Sequence, residues 1–153
     1  MTEINDRIVA KMKVTTAKTV NNQLVEALQR LIPQLTPNGE PITSQTLEEL
    51  VYDKNSELLL AIDDLGQIVG TLALIVFRIP TGKKAFIEDV VVDESARGKG
   101  LGEKLLVKAI ELAKLKGVQR IELSSRPMRV PANKLYQKLG FKQRETNYYR
   151  LQL

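Results

Sequence analysis

The chain is expected to fold as an α/β (α+β) domain: a mixed, mostly antiparallel twisted sheet of six to seven strands with helices on both faces. Three observations carry this expectation. Short apolar stretches joined by glycine-containing turns fill the middle of the chain, the pattern of antiparallel hairpins. Amphipathic helical stretches lie before, between and after them. Residues 85–125 read strand–helix–strand, a unit whose crossover helix makes its two strands parallel neighbours.

The elements run in the order β-α-α-β-β-β-α-β-α-β-β. Arg7–Val14 alternates and ends in β-branched residues, so it reads as a strand. Ala17–Ile32 sets Val20, Leu24, Leu28 and Leu31 at helical spacing, and Pro33 is expected to stop it. Residues 36–41 are turn-rich, and Thr43 or Ser44 caps a helix running to about Tyr52. Glu57–Ile62 and Gln67–Ile79 flank Asp63-Asp64-Leu65-Gly66, a hairpin with glycine in the turn. Pro80–Lys84 turns the chain into the apolar strand Ala85–Val92. Leu101–Lys116 places Leu101, Leu105, Ala109 and Leu112 on one helical face, with Gly117 just past the end. Val118–Ser125 reads as a strand. Pro131 opens a helix striped by Ala132, Leu135, Tyr136 and Leu139 and closed by Gly140. Phe141–Arg144 and Tyr148–Leu153 are expected as short closing strands.

At 153 residues, one domain over 1–153 is the natural count. A chain of this size buries roughly 68–70% of its unfolded surface, enough for one real core. Histidine, cysteine and tryptophan are all absent. That excludes cysteine nucleophiles, Ser-His-Asp triads, Cys/His zinc sites and disulfides. Chemistry is left to carboxylates, tyrosine, lysine, hydroxyls, backbone amides or a bound cofactor. Met1–Met12 has no apolar signal core, and the longest apolar run, Leu72–Phe77, is far short of the ~20 residues of a membrane helix. These features suit a cytoplasmic protein with no membrane partner.

The net charge of +5 is unevenly divided. Residues 1–80 carry 7 basic and 10 acidic side chains, and residues 81–153 carry 16 and 8. The positive half invites an anionic partner: nucleic acid, a membrane surface or a phosphorylated cofactor. Arg97-Gly98-Lys99-Gly100-Leu101-Gly102 comes after an apolar strand and opens a helix. Glycines there allow a tight turn and close approach, and the helix start offers free N–H groups to phosphate oxygens. A Walker A loop is absent, and Glu103 stands where a dinucleotide fingerprint needs its third glycine. The pattern [QR]-x-x-G-x-[GA] is satisfied by Arg97, Gly100 and Gly102.

Two stretches carry a resemblance. Ile87–Gly102 (I-E-D-V-V-V-D-E-S-A-R-G-K-G-L-G) is similar to the cofactor motif of the GNAT superfamily of N-acetyltransferases, and Ala132–Phe141 (A-N-K-L-Y-Q-K-L-G-F) is similar to its C-terminal helix motif. Their spacing and the element order match as well. The resemblance implies acetyl-CoA as cosubstrate, with no metal, and an amine acceptor. It implies that the backbone of Val90, Val91 and Val92 pairs with pantetheine. The amides of Gly98, Lys99, Gly100, Leu101, Gly102 and Glu103 would take the pyrophosphate, with Arg97 beside them. Tyr136 matches the tyrosine that protonates the leaving sulfur. Glu88 resembles a glutamate that serves as base, often through water, and Asp89 is the second candidate. Many relatives have an asparagine seven positions before the tyrosine; here that residue is Arg129, and the cofactor contact is open between Asn133, as a substitute, and Arg129 itself, with Arg126 beside it.

By unbroken period two, Phe86, Glu88, Val90 and Val92 share one strand face and Ile87, Asp89 and Val91 the other. A non-catalytic acyl-CoA-binding module would show the same cofactor loop. Nucleic-acid binding is disfavoured by an aromatic content of 5% with no basic–aromatic interleaving. The acceptor is open between small-molecule and peptide or protein amines, and a homodimer is possible because relatives often form one.

Overall fold

The computed structural model describes residues 12–153. Most of the expected Arg7–Val14 strand lies outside them, as does the stretch Met1–Met12 apart from its last residue. The elements are β1 (Lys13–Thr16), α1 (Asn22–Leu35), α2 (Ser44–Val51), β2 (Ser56–Ile62), β3 (Ile68–Ile79), β4 (Gly82–Val92), α3 (Leu101–Leu115), β5 (Arg120–Glu122) and α4 (Val130–Lys138). A single 3-10 turn, Glu94–Ala96, precedes α3. Among the described residues, backbone contacts group 12–123 into one compact unit and 124–153 into a second.

In the first unit the sheet order is β1-β2-β3-β4-β5. The first three pairings are antiparallel and β4–β5 is parallel, so the sheet is mixed and mostly antiparallel. Leu58, Leu60, Ala73 and Val91 join Leu24, Leu28, Leu31 and Leu47 in one core under α1 and α2. Leu101, Leu105, Leu106, Ala109 and Ala113 of α3 are buried against β2, β3 and β4. Leu105 reaches Gly70, whose sheet partner is Ala61, on the opposite face. Helices therefore cover both faces.

Local chemistry fixes the element ends. Asn21 and Thr43 accept the N–H groups of Leu24 and Thr46 as N-caps of α1 and α2. Asp63 accepts from Leu65 N–H at 2.9 Å and Gln67 N–H at 2.8 Å, and Gly66 takes φ +78° to close the β2–β3 turn. Gly117 ends α3 at φ +70°.

Four expectations are corrected. Pro33 does not stop α1, which runs two residues further. One ladder bond is lost there, but Thr36 N–H still reaches Ile32 O at 2.9 Å and the Gln34 amide bonds Arg30 O at 3.2 Å. β4 begins at Gly82, so the turn before it is tighter than Pro80–Lys84. On α3, Leu106 and Ala113 are buried while Leu112 is only partly so, which turns the buried stripe slightly. The sheet has five strands among the described residues rather than six or seven: β5 shrinks to three residues and no strand forms over 141–153. Alternation makes a strand only where a neighbour takes its hydrogen bonds. In the second unit, α4 starts with Pro131 in its first turn, and Gly140 past its end has φ +94°. The Tyr136 ring meets Phe141 edge-on at 6.1 Å.

Gly70 marks the tightest approach between sheet and α3. A Cβ there would lie 3.1 Å from Ala61 Cβ, 3.2 Å from Val91 O and 3.4 Å from Leu105 Cδ1. Gly70→Val is expected to destabilise the fold by about 1–3 kcal/mol through overpacking. A lower urea midpoint at unchanged m-value is the readout.

Candidate functional site

β4 is paired on both sides only near its start. Lys84, Ala85 and Phe86 pair with Arg120, Ile121 and Glu122 of β5, and the ladder stops there. Ile87–Val92 is paired with β3 alone. An open run of backbone donors and acceptors therefore leads straight to the glycine turn. Such an edge accepts an extended ligand carrying amide groups.

Within this run the register slips. Ala73 faces Glu88 and Thr71 faces Val91, so the single residue Leu72 stands opposite both Asp89 and Val90. This is a β-bulge, and Asp89 takes φ +51°, the one positive value at a non-glycine residue among the described residues. The expected face assignment is corrected by it. Glu88 and Val91 now share the α1/α2 face, through Ala73 and Thr71. Val92 moves to the α3 face opposite Gly70.

Glu88 reaches the surface and forms no ion pair among the described residues. Its pKa is raised from the ordinary carboxyl value, first by loss of hydration against the strand and then by the adjacent Asp89 carboxylate. A raised carboxylate is a better proton acceptor near neutral pH. Asp89 is exposed on the bulge.

The glycine turn has Gly98 at φ +78° and Gly100 at φ +77°, both left-handed, and a Cβ at either would meet nothing within 4 Å. Glycine is needed there for conformation, and the space beside it is open. The N–H of Lys104 in α3 is taken by Gly100 O at 3.1 Å. Leu101 and Gly102 have no intrahelical acceptor, so their N–H groups suit an anion at the positive end of the helix dipole. Arg97 donates from Nε to Val92 O at 3.1 Å, which ties the turn to the end of β4. Lys99 is exposed and unpaired among the described residues.

Sequence reasoning misses a cluster behind this turn. Asp93 Oδ1 accepts from Ser95 N–H at 3.0 Å and Ser95 Oγ at 2.7 Å. Its Oδ2 accepts from Arg30 Nε at 3.2 Å and Gln34 Nε2 at 3.4 Å. Asp93-x-Ser after a strand is a capping signature and is visible in the sequence; its partners on α1 lie about 60 residues away and are not.

In the second unit, Tyr136 is half-buried. Its pKa is raised by loss of hydration, with the Arg129 charge pulling slightly the other way. The hydroxyl is therefore held protonated. The Asn133 amide nitrogen donates to Arg126 O and Arg129 O, both at 2.9 Å. Its two donors build the turn into α4, leaving only its oxygen for any ligand. A groove of about 500 Å3 lies between Val14 and the outer side of α3, along Gly100, Lys104, Val107, Lys108 and Glu111. Gly100 and Glu103 line both it and the segment around the glycine turn, and it mixes both charge signs. No group of three or more carboxylates suited to a metal occurs among the described residues, and none of the described helices is long and apolar enough to cross a membrane.

Residues 24–141 match the model of the Acetyltransferase (GNAT) family. Glucosamine 6-phosphate N-acetyltransferase of Trypanosoma brucei brucei is 40% identical over 83 residues, covering 52% of this chain and 54% of that enzyme. The chain thus spans about half the length of that relative. Glucosamine 6-phosphate N-acetyltransferase 1 of Oryza sativa subsp. japonica is 32% identical over 120 residues, covering 72% and 70%. Among solved structures, a putative acetyltransferase from Agrobacterium tumefaciens matches in fold with a TM-score of 0.79 at 24% identity, over 92% of this chain and 99% of that one. A Trypanosoma brucei acetyltransferase matches with a TM-score of 0.73 at 26% identity, over 93% and 99%.

Asp93 links this site to acid stability. Ser95, by its hydroxyl and its N–H, holds the Asp93 carboxyl down to about 2, with Arg30 and Gln34 adding to the effect against some loss of hydration. A depressed carboxyl stabilises the fold above its ordinary value of 3.8, and that contribution disappears as pH falls from about 4 to about 2. Asp93→Asn is expected to remove on the order of 1–2 kcal/mol at pH 7 and to flatten this part of the stability–pH curve. Urea unfolding at stepped pH reads both effects.

Proposed function

The chain belongs to the acetyltransferase (GNAT) family, and we propose that it transfers an acetyl group from acetyl-CoA to a primary amine by direct attack on the thioester. The observation that carries this reading is the open edge of β4, Ile87–Val92, bulged at Asp89 and running into the glycine turn. An amide-bearing pantetheine chain fits an unpaired strand edge, and a pyrophosphate fits the helix-start amides beyond it. The excess of basic residues in 81–153 agrees with so anionic a ligand.

When bound, acetyl-CoA supplies an activated acyl carbon, to which the amine nitrogen bonds as the carbon–sulfur bond breaks. The residues have distinct tasks. The backbone of Val90, Val91 and Val92 holds pantetheine. The amides of Gly98 to Glu103 hold the pyrophosphate, with Arg97 and Lys99 adding charge. Glu88, directly or through water, takes the ammonium proton so that the amine attacks in its neutral form. Tyr136, matched by the helix motif and kept protonated by its surroundings, delivers a proton to the leaving sulfur, and the proton released from the new amide nitrogen restores its hydroxyl. Much of the acceleration comes from holding amine and thioester together, which needs no protein nucleophile. That suits a chain without cysteine or histidine. The trypanosomal and rice relatives are named for glucosamine 6-phosphate, so amino-sugar phosphates are the first acceptors to assay, ahead of peptide amines.

Free-thiol release across an amine panel tests the activity. Tyr136→Phe is expected to lower kcat at least tenfold, about 1.4 kcal/mol of barrier, with cofactor affinity and fold intact. In the wild type, kcat/KM is expected to rise with pH as Glu88 loses its proton, along a limb lying above the ordinary value of 4.5. Glu88→Gln is expected to abolish that limb and depress the rate. A wild-type thermal shift with acetyl-CoA and no turnover on any amine would favour a non-catalytic acyl-CoA-binding module.

A further inference from the structure

We propose that Arg30, Asp93 and Gln34 are positioning residues for the cofactor: they fasten α1 to the point where β4 becomes the glycine turn, and so hold the turn's amides in pyrophosphate-binding geometry. The proposal rests on reading the β4 edge and the turn as the coenzyme A site.

The connections are few and specific. Arg30 and Gln34 sit one helical turn apart on α1 and therefore share a face. Arg30 bridges two strands, with Nε on Asp93 Oδ2 at 3.2 Å and Nη2 on Ile68 O at 2.6 Å. Gln34 uses both ends of its amide. Its nitrogen reaches Asp93 Oδ2 at 3.4 Å, and its oxygen accepts from Glu94 N–H at 3.0 Å. Asp93 N–H bonds Val69 O at 2.7 Å, and the Asp93 side chain is only 13% exposed, so the cluster is set into the sheet end.

Beyond Asp93 the chain is held by burial of Ala96 and Leu101 and by a few short hydrogen bonds. Ser95 and Ala96 bond back to Asp93, and Arg97 bonds back to Val92. Of the bonds that residues 94–100 make to other elements, Glu94 N–H to Gln34 is the one to α1; Arg97 Nε bonds Val92 O of β4 and Gly100 O accepts from Lys104 N–H of α3. Gly98 and Gly100 are open on their Cβ sides. Two left-handed glycines leave a turn conformationally loose unless its base is fixed. The cluster fixes that base and, through α1, the sheet face on which Glu88 stands.

Coenzyme A titrated calorimetrically into the full-length chain tests this. Binding by the wild type tests the underlying reading separately; its absence overturns that reading and the proposal with it. Given wild-type binding, Asp93→Ala is expected to weaken Kd at least tenfold. Arg30→Lys keeps the charge but cannot hold Asp93 and Ile68 O together, so a weakening of at least threefold is expected. Gln34→Ala is expected to behave similarly and carries the test where Asp93→Ala fails to fold. In turnover, the loss is expected mainly in KM for acetyl-CoA, with kcat at saturating cofactor falling far less. Folded variants that bind within twofold of wild type, with KM unmoved, would make the cluster purely structural and overturn the proposal.

Discussion

The one extra residue in β4 is the constraint on which the rest of the site depends. Leu72 is fully buried and fixed by its pairing with Leu59, so β3 cannot absorb the mismatch. β4 absorbs it at Asp89, by a left-handed backbone that costs an L-residue on the order of 1 kcal/mol or more. The slip puts Glu88 and Val91 on the face under α1 and α2 and sends Val92 toward α3. It also bends the strand just past the end of its short pairing with β5. The bulge lies on the edge left open past Phe86, with the Glu88 carboxylate beside it and the chain running on into the glycine turn.

The segment after β4 is held from the other side. α1 is first a core helix, with Leu24, Leu28 and Leu31 buried, and its Arg30 and Gln34 reach over the sheet end to Asp93. Burial of α1 and placement of the glycine turn are thus one packing problem. The charge arrangement is consistent with it: an anchored carboxylate behind the turn is neutralised by Arg30, while Arg97 and Lys99 stand with the turn itself.

The elements legible in the sequence are those decided locally. The Asp63–Gly66 turn, the Thr43 cap, the α3 stripe and Gly117 at its end all depend on residues within a few positions of one another. The glycine turn is legible for the same reason: Gly100 of the pattern is left-handed, as is Gly98 just before it, while Gly102 lies inside α3. Long-range packing decides the remainder. Strict alternation assigns Val91 and Val92 to the wrong faces because a bulge is set by the partner strand, and β4 alone carries no sign of it. Arg30 and Gln34 read as an ordinary helix surface, since nothing near them announces Asp93. Pro33 reads as a stop, although near a helix end only one bond is lost. The expected closing strands at 141–144 and 148–153 have no paired neighbour among the described residues and do not form.

The central claim is that the bulged edge of β4 and the turn behind it form the coenzyme A site. Amide hydrogen exchange with and without coenzyme A tests it most directly. The account predicts that ligand slows exchange at Val90–Val92 and across Gly98–Glu103, with Lys104–Glu111 little changed. Protection confined to the Lys104–Glu111 side of α3, with β4 and the turn unaffected, would contradict it.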